Sequence, residues 1–282
     1  MIHYIENDRI RVGVKEFGGE LTSFFDKNAG FEYLWQGIPE IWSGQSPVLF
    51  PVIGRLKNDG YTLGGARYSC PKHGVARKRP FSLLERTDNK LVLIQTEDEN
   101  TYRQFPYRYR LYEIFTIRGR TLSVELRVDN NNEKTMYFGV GAHPGFNCRI
   151  GDVIEFSGNE TLDSERIDMQ LCLRKKESFP VLRDENKIVI TEHVFDEDAL
   201  ILKGIRSEYL TLHAFGGERD IVFRFNSEYL GIWAKPGAPY VCLEPWCGVD
   251  DSTESDGIFE TKEGNHKLDP GESFSLFWSA EI

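Results

Sequence analysis

Polar and apolar residues alternate at a period of two along most of this chain, and the 3.6-residue period of an amphipathic helix is nearly absent. Such a pattern is satisfied by strands that bury one face, not by helices. Residues 9–17 (RIRVGVKEF) alternate and run into Gly18-Gly19, a strand followed by a turn. Residues 108–117 (RYRLYEIFTI) and 122–128 (LSVELRV) flank Arg118-Gly-Arg-Thr and read as a hairpin. Further strands are expected at 136–140, 187–190, 209–215, 221–225, 230–235, 240–246 and 274–282. Helical candidates are confined to 164–170 and 251–255, where Asp, Ser and Thr offer capping oxygens. The acidic run 97–100 reads as a solvated loop. Many strands at roughly ten-residue spacing, with turn signals between them, predict an all-β fold. With no internal repeat, low-complexity tract or linker, residues 1–282 read as a single large antiparallel β domain, a sandwich or a barrel, with few short helices.

The formal net charge of −10 argues against a nucleic-acid partner or an anionic membrane surface. No run approaches the ~20 apolar residues that span a bilayer. The first residues lack the basic and apolar regions of a signal peptide. The five cysteines are odd in number and scattered. These features together predict a cytoplasmic protein with reduced thiols. A monomer or homodimer is expected.

Three segments carry candidate chemistry. Residues 47–81 begin apolar, place Gly54 before Arg55, and then present His73-Gly74 ahead of Arg77, Lys78 and Arg79. A cation on a glycine corner at the end of a buried run needs a partner. A second histidine, His143, stands in the glycine-framed turn GAHPGFN. The other four histidines lie in ordinary strand or loop contexts. Glu244 interrupts the apolar run YVCLEPW, where a buried carboxylate is costly unless hydrogen bonds or a cation compensate it. Its pKa is expected to be displaced, as in a catalytic acid or base, unless it makes a structural ion pair with an arginine such as Arg55. These segments are expected to converge on one small-molecule site. Trp246, two residues from Glu244, shares its face of a strand and offers a platform for the C–H face of a sugar; Trp42 is a second such ring.

Other chemistries find less support. Cys70-x-x-His73 and the pair Cys242 and Cys247 lack the matched short spacings of a structural zinc site, so no metal is expected. No G-x-S-x-G elbow, G-x-G-x-x-G or P-loop occurs.

The segments GELTS (19–23), FEYLW (31–35), FPVIGR, KHGVAR, GAHPGFN and YVCLEPW, in this order over nearly the whole chain, resemble the aldose 1-epimerase (galactose mutarotase-like) family, most closely its LacX-type branch. The resemblance implies the large galactose mutarotase-type sandwich, an open cleft on one sheet and no cofactor. It makes Glu244 the general base on the C1 hydroxyl and His143 the group that protonates the ring oxygen. His73 would help bind or polarise that oxygen, and Arg55 would be the sugar-binding arginine. Asp198 would be the substrate-holding aspartate, with Asp196 close by. Ala142 replaces the asparagine that precedes the acid histidine in galactose mutarotases, and the HGVAR form is similar to relatives acting on hexose 6-phosphates. Arg77 and Arg79 are further candidates for a phosphate. The expected partner is a sugar or sugar phosphate, and the expected reaction is anomer exchange, with carboxylate and imidazole on opposite sides of the ring. Its rivals are a non-catalytic carbohydrate-binding sandwich and a glycoside hydrolase; the latter needs a second carboxylate across the bond.

Overall fold

The computed structural model describes residues 1–282. An N-terminal sheet of four antiparallel strands lies between Ile2 and Glu32. Most of the remaining strands join one 15-stranded sheet, whose pairings are antiparallel. That sheet folds back on itself. Phe50, beside the strand Val48–Leu49 at one end, packs against Tyr109 from near the other end, with ring centroids 4.8 Å apart. A contiguous core of 65 buried residues fills the space between the layers. Of the sandwich and barrel that the alternation allows, the large antiparallel β-sandwich implied by the family resemblance is what forms.

The hairpin is strand Tyr109–Arg118 paired with Thr121–Asn130, with Arg118 opposite Thr121. Burial alternates strictly along Tyr109–Ile117, because odd positions face the core and even ones do not. The segment 136–140 splits at Gly139. Met136–Phe138 pairs with His266–Leu268, whereas Val140–Ala142 joins the large sheet beside Tyr240–Cys247.

Both helical candidates are overturned. Residues 164–168 end the 16-residue strand Val153–Asp168, and 169–172 form the turn to Leu173–Val189. Ser164 pairs with Phe179 on one side and Leu202 on the other, so sheet pairing overrides any local capping tendency. Residues 251–255 are not helical either, because the Asp251 carboxylate serves distant partners. It accepts from Lys57 N at 2.9 Å and pairs with Lys262 at 2.9 Å. Conversely, the acidic run opens the helix Glu99–Gln104, where Asp98 accepts from Asn100 N and Thr101 N in a capping box. No helix is long and apolar enough to cross a membrane.

Candidate active site

His73 is fixed by backbone before its ring is considered. His73 N donates to Gly54 O at 2.7 Å, and Gly54 N donates back to His73 Nδ1 at 3.2 Å. Gly54 has φ +61°, and a Cβ there would overlap the Asp250 carboxylate, whose Oδ1 accepts from Arg55 N at 2.8 Å. The glycine corner thus locks His73 and Asp250 together, leaving His73 Nε2 free of that exchange. His143 follows the strand Val140–Ala142, which is held between Val48–Leu49 and Tyr240–Cys247. Glu244 sits in the middle of Tyr240–Cys247, opposite Gly231.

These elements meet around a cavity of about 430 Å³. Glu244, His143, His73, Asp198, Trp246 and Arg77 all line it, as do Asp196 and Trp42. His143 Nε2 lies 3.2 Å from Glu244 Oε2, and the two imidazoles meet edge to face at 5.9 Å. Trp42 stacks on His143 at 5.1 Å and on Tyr240 at 5.2 Å, fixing the plane of the imidazole.

Three expectations about roles change. Arg55 does not line the cavity. Its guanidinium pairs with Asp59 (Nε–Oδ1 2.8 Å, Nη2–Oδ2 3.0 Å) and donates to Leu171 O at 3.1 Å. Asp59, four residues on across a short 3₁₀ turn, presents a carboxylate that matches the guanidinium fork. Arg55 therefore ties the tip of the long hairpin to the corner, and Glu244 has no ion pair with it. The second change concerns the proton-transfer pair: at 3.2 Å, no sugar ring fits between carboxylate and imidazole, so they stand side by side. Arg79 also points elsewhere, pairing with Asp98 at 2.8 Å.

The sequence reading missed Lys72, Trp233 and Asp250, which line the same cavity. Lys72 adjoins His73 and could have been found by adjacency. Asp250 could not, because long-range bonds hold it at the site: its carboxylate accepts from Arg55 N and its carbonyl from Arg174 Nε.

Burial dominates the electrostatics. It pushes the Glu244 carboxyl well above the usual range, with Lys72 pulling the other way and Asp198 adding to the rise. Burial also lowers His143 to about 3 and drives His73 well below its ordinary value. Glu244 Oε2 is buried without a hydrogen-bond partner, and so is Arg77 Nε. Orphaned polar atoms around a cavity are what a hydroxyl-rich ligand would satisfy.

Neither of the cysteine spacings considered for zinc supplies a ligand cluster. The one group of three potential ligands whose atoms come within 4.8 Å is His143, Cys242 and Glu244.

The family model for aldose 1-epimerase matches residues 1–279. The plasmid-encoded protein LacX of Lactococcus lactis subsp. lactis is 30% identical over 94% of each chain. The crystal structure of a galactose mutarotase related enzyme from Lactobacillus acidophilus superposes with a TM-score of 0.94 at 29% identity, covering 100% of this chain and 97% of the other. A galactose mutarotase-like protein from Lactobacillus casei gives the same TM-score at 28% identity, covering 100% and 99%.

Proposed function

This chain belongs to the aldose 1-epimerase family, and from that premise we propose that it interconverts the α and β anomers of an aldohexose or hexose phosphate by ring opening. The observation that carries this reading is the buried Glu244–His143 contact at 3.2 Å on the wall of an open cavity. Anomer exchange removes a proton from the C1 hydroxyl and delivers one to the ring oxygen, and both oxygens are bonded to the same carbon. An acid and a base that stand side by side can therefore serve both without moving. Glu244 takes the hydroxyl proton, His143 protonates the ring oxygen, and the C1–ring-oxygen bond breaks. The open aldehyde turns about the C1–C2 bond, and the same two groups, with roles reversed, close the ring on either face. His73 faces the same region and helps hold the ring oxygen.

The pair carries one proton in its working form: burial rests it on the Glu244 carboxyl, and it crosses the 3.2 Å contact to His143 Nε2 when the sugar binds, leaving Glu244 as base and His143 as acid. Burial disfavours charge on both partners, raising the carboxyl and lowering the imidazole, so the range over which a single proton is held is widened at both ends. A second proton enters only as pH falls toward the lowered imidazole value, and the single proton leaves only above the raised carboxyl value. The kcat/KM profile is accordingly expected to be flat through neutrality, with its acid limb displaced below the ordinary histidine range. A profile that falls with a midpoint near ~6.5, the free histidine value, would contradict a buried shared-proton pair.

Replacing His143 by Asn is expected to lower kcat by about 10²–10⁴-fold while changing sugar affinity far less. Nuclear magnetic resonance exchange rates, together with a binding titration, separate the two. Lost affinity with retained turnover would make His143 a binding residue.

Arg77, with its orphaned Nε, and Lys72 put two cations on the cavity wall. These suit a phosphate as well as sugar hydroxyls. Anomer exchange rates for glucose, galactose and glucose 6-phosphate, with and without the protein, test the function and rank the substrate class. Binding without acceleration of any of them would instead describe a carbohydrate-binding module.

A further inference from the structure

The proton chemistry leaves Cys242 unused. It precedes Glu244 by two residues on Tyr240–Cys247, so its side chain leaves the same face of the strand. It is fully buried, and its sulfur comes together with a His143 ring nitrogen and a Glu244 carboxylate oxygen, all within 4.8 Å of one another. Glu244 is 1% exposed and His143 8%, and both retain atoms with no hydrogen-bond partner: Oε2 of Glu244 and Nδ1 of His143. The orphaned Oε2 is the atom that lies 3.2 Å from His143 Nε2.

We propose that His143, Cys242 and Glu244 form a binding site for a thiophilic divalent cation of the zinc class, and that the ion switches the site off. The 3.2 Å separation of nitrogen and oxygen is close to the tetrahedral edge of about 3.3 Å that follows from zinc bonds of about 2.0–2.1 Å. A zinc–sulfur bond of about 2.3 Å requires about 3.6 Å between sulfur and the other ligands, so binding draws the sulfur inward by at most about 1.2 Å from the 4.8 Å limit. Three protein ligands leave a fourth tetrahedral position for water. A sulfur ligand selects zinc or cadmium over magnesium or calcium, which take oxygen. Binding releases the thiol proton and the proton carried by the carboxylate–imidazole pair to solvent, with no change of oxidation state. A cation on Nε2 and Oε2 leaves neither free to move a proton. Inhibition therefore rests on the proposed anomer exchange, whereas metal binding does not.

The test uses the full chain, stripped of metal with a chelator and titrated with cadmium without sugar. One cadmium per chain should bind with a near-ultraviolet thiolate-to-metal band. Cys242→Ser should lose the band and weaken binding by more than the ~10–100-fold typical of an outer-shell change, while the metal-free variant keeps its anomer exchange. An unchanged band and affinity in Cys242→Ser would place the ion elsewhere and overturn the proposal. X-ray absorption on the zinc-loaded unsubstituted chain gives an answer that does not depend on folding of the variant. One sulfur at about 2.3 Å among nitrogen and oxygen ligands is expected; a shell without sulfur, or no binding, refutes the site. Cadmium binding through Cys242 in a protein with no anomer exchange would leave the site standing and remove the proposed reaction.

Discussion

Glu244→Gln is expected to reduce anomer exchange by at least about 10²-fold, and up to about 10⁴-fold, because the amide can neither take up nor release the proton. The same substitution should leave stability nearly unchanged. Glu244 is almost completely buried, its Oε2 has no hydrogen-bond partner, and no Lys or Arg pairs with it. An isosteric neutral side chain therefore removes no established contact with a permanent cation and relieves the burial of a titratable group. A structural role predicts the opposite pattern. Removing one partner of a buried ion pair costs about 3–5 kcal/mol, with no reason for a large effect on turnover in the molecules that remain folded. Exchange spectroscopy on the α and β anomers, run beside a urea unfolding curve on the same preparation, separates the cases. Undiminished exchange in a folded Glu244→Gln protein would remove Glu244 as the base.

Gly74→Ala is expected to be the most damaging small change near the site. Gly74 follows His73, and both have positive φ, +65° for His73 and +75° for Gly74. A Cβ at Gly74 would lie 2.1 Å from the carbonyl oxygen of Phe50. That oxygen also accepts from Val75 N at 2.8 Å and Ala76 N at 3.2 Å, so it cannot withdraw without breaking the connection between the two segments. Phe50 itself is a fully buried core residue, which resists displacement. The left-handed backbone alone costs a non-glycine residue about 1–3 kcal/mol, and the steric conflict adds to that, so a total above about 3 kcal/mol is expected. Gly65→Ala is the control: φ is +80°, yet its Cβ would meet nothing within 4 Å. The urea midpoint should fall much further for Gly74→Ala than for Gly65→Ala. Equal shifts would mean that backbone conformation, not the approach of Phe50, decides.

The contrast between these two glycines marks the boundary of what the sequence could say. Period-two alternation identified the strands at Ile221–Phe225, Tyr240–Cys247 and Ser273–Glu281 to within a residue or so, because alternation is a local consequence of burying one face. It failed at Val153–Asp168, where pairing with Phe179 and Leu202 outweighed the local composition of 164–170. The same limit applies to the arginines. Arg55 and Arg77 both follow glycine-containing turns, and nothing local distinguishes the one that meets Asp59 from the one that lines the cavity.

The sequence by itself determined the fold class, the family and the histidines and glutamate of the candidate site, because each is written in contiguous residues or in their order along the chain. Only the tertiary structure decided that Glu244 and His143 stand side by side, that Arg55 is committed to the hairpin tip, and that Lys72, Asp250 and Cys242 come to the same place. These are distances between strands far apart in the chain. They are set by sheet register and by the close approach of Gly54 to Asp250 and of Gly74 to Phe50, and no local pattern encodes them.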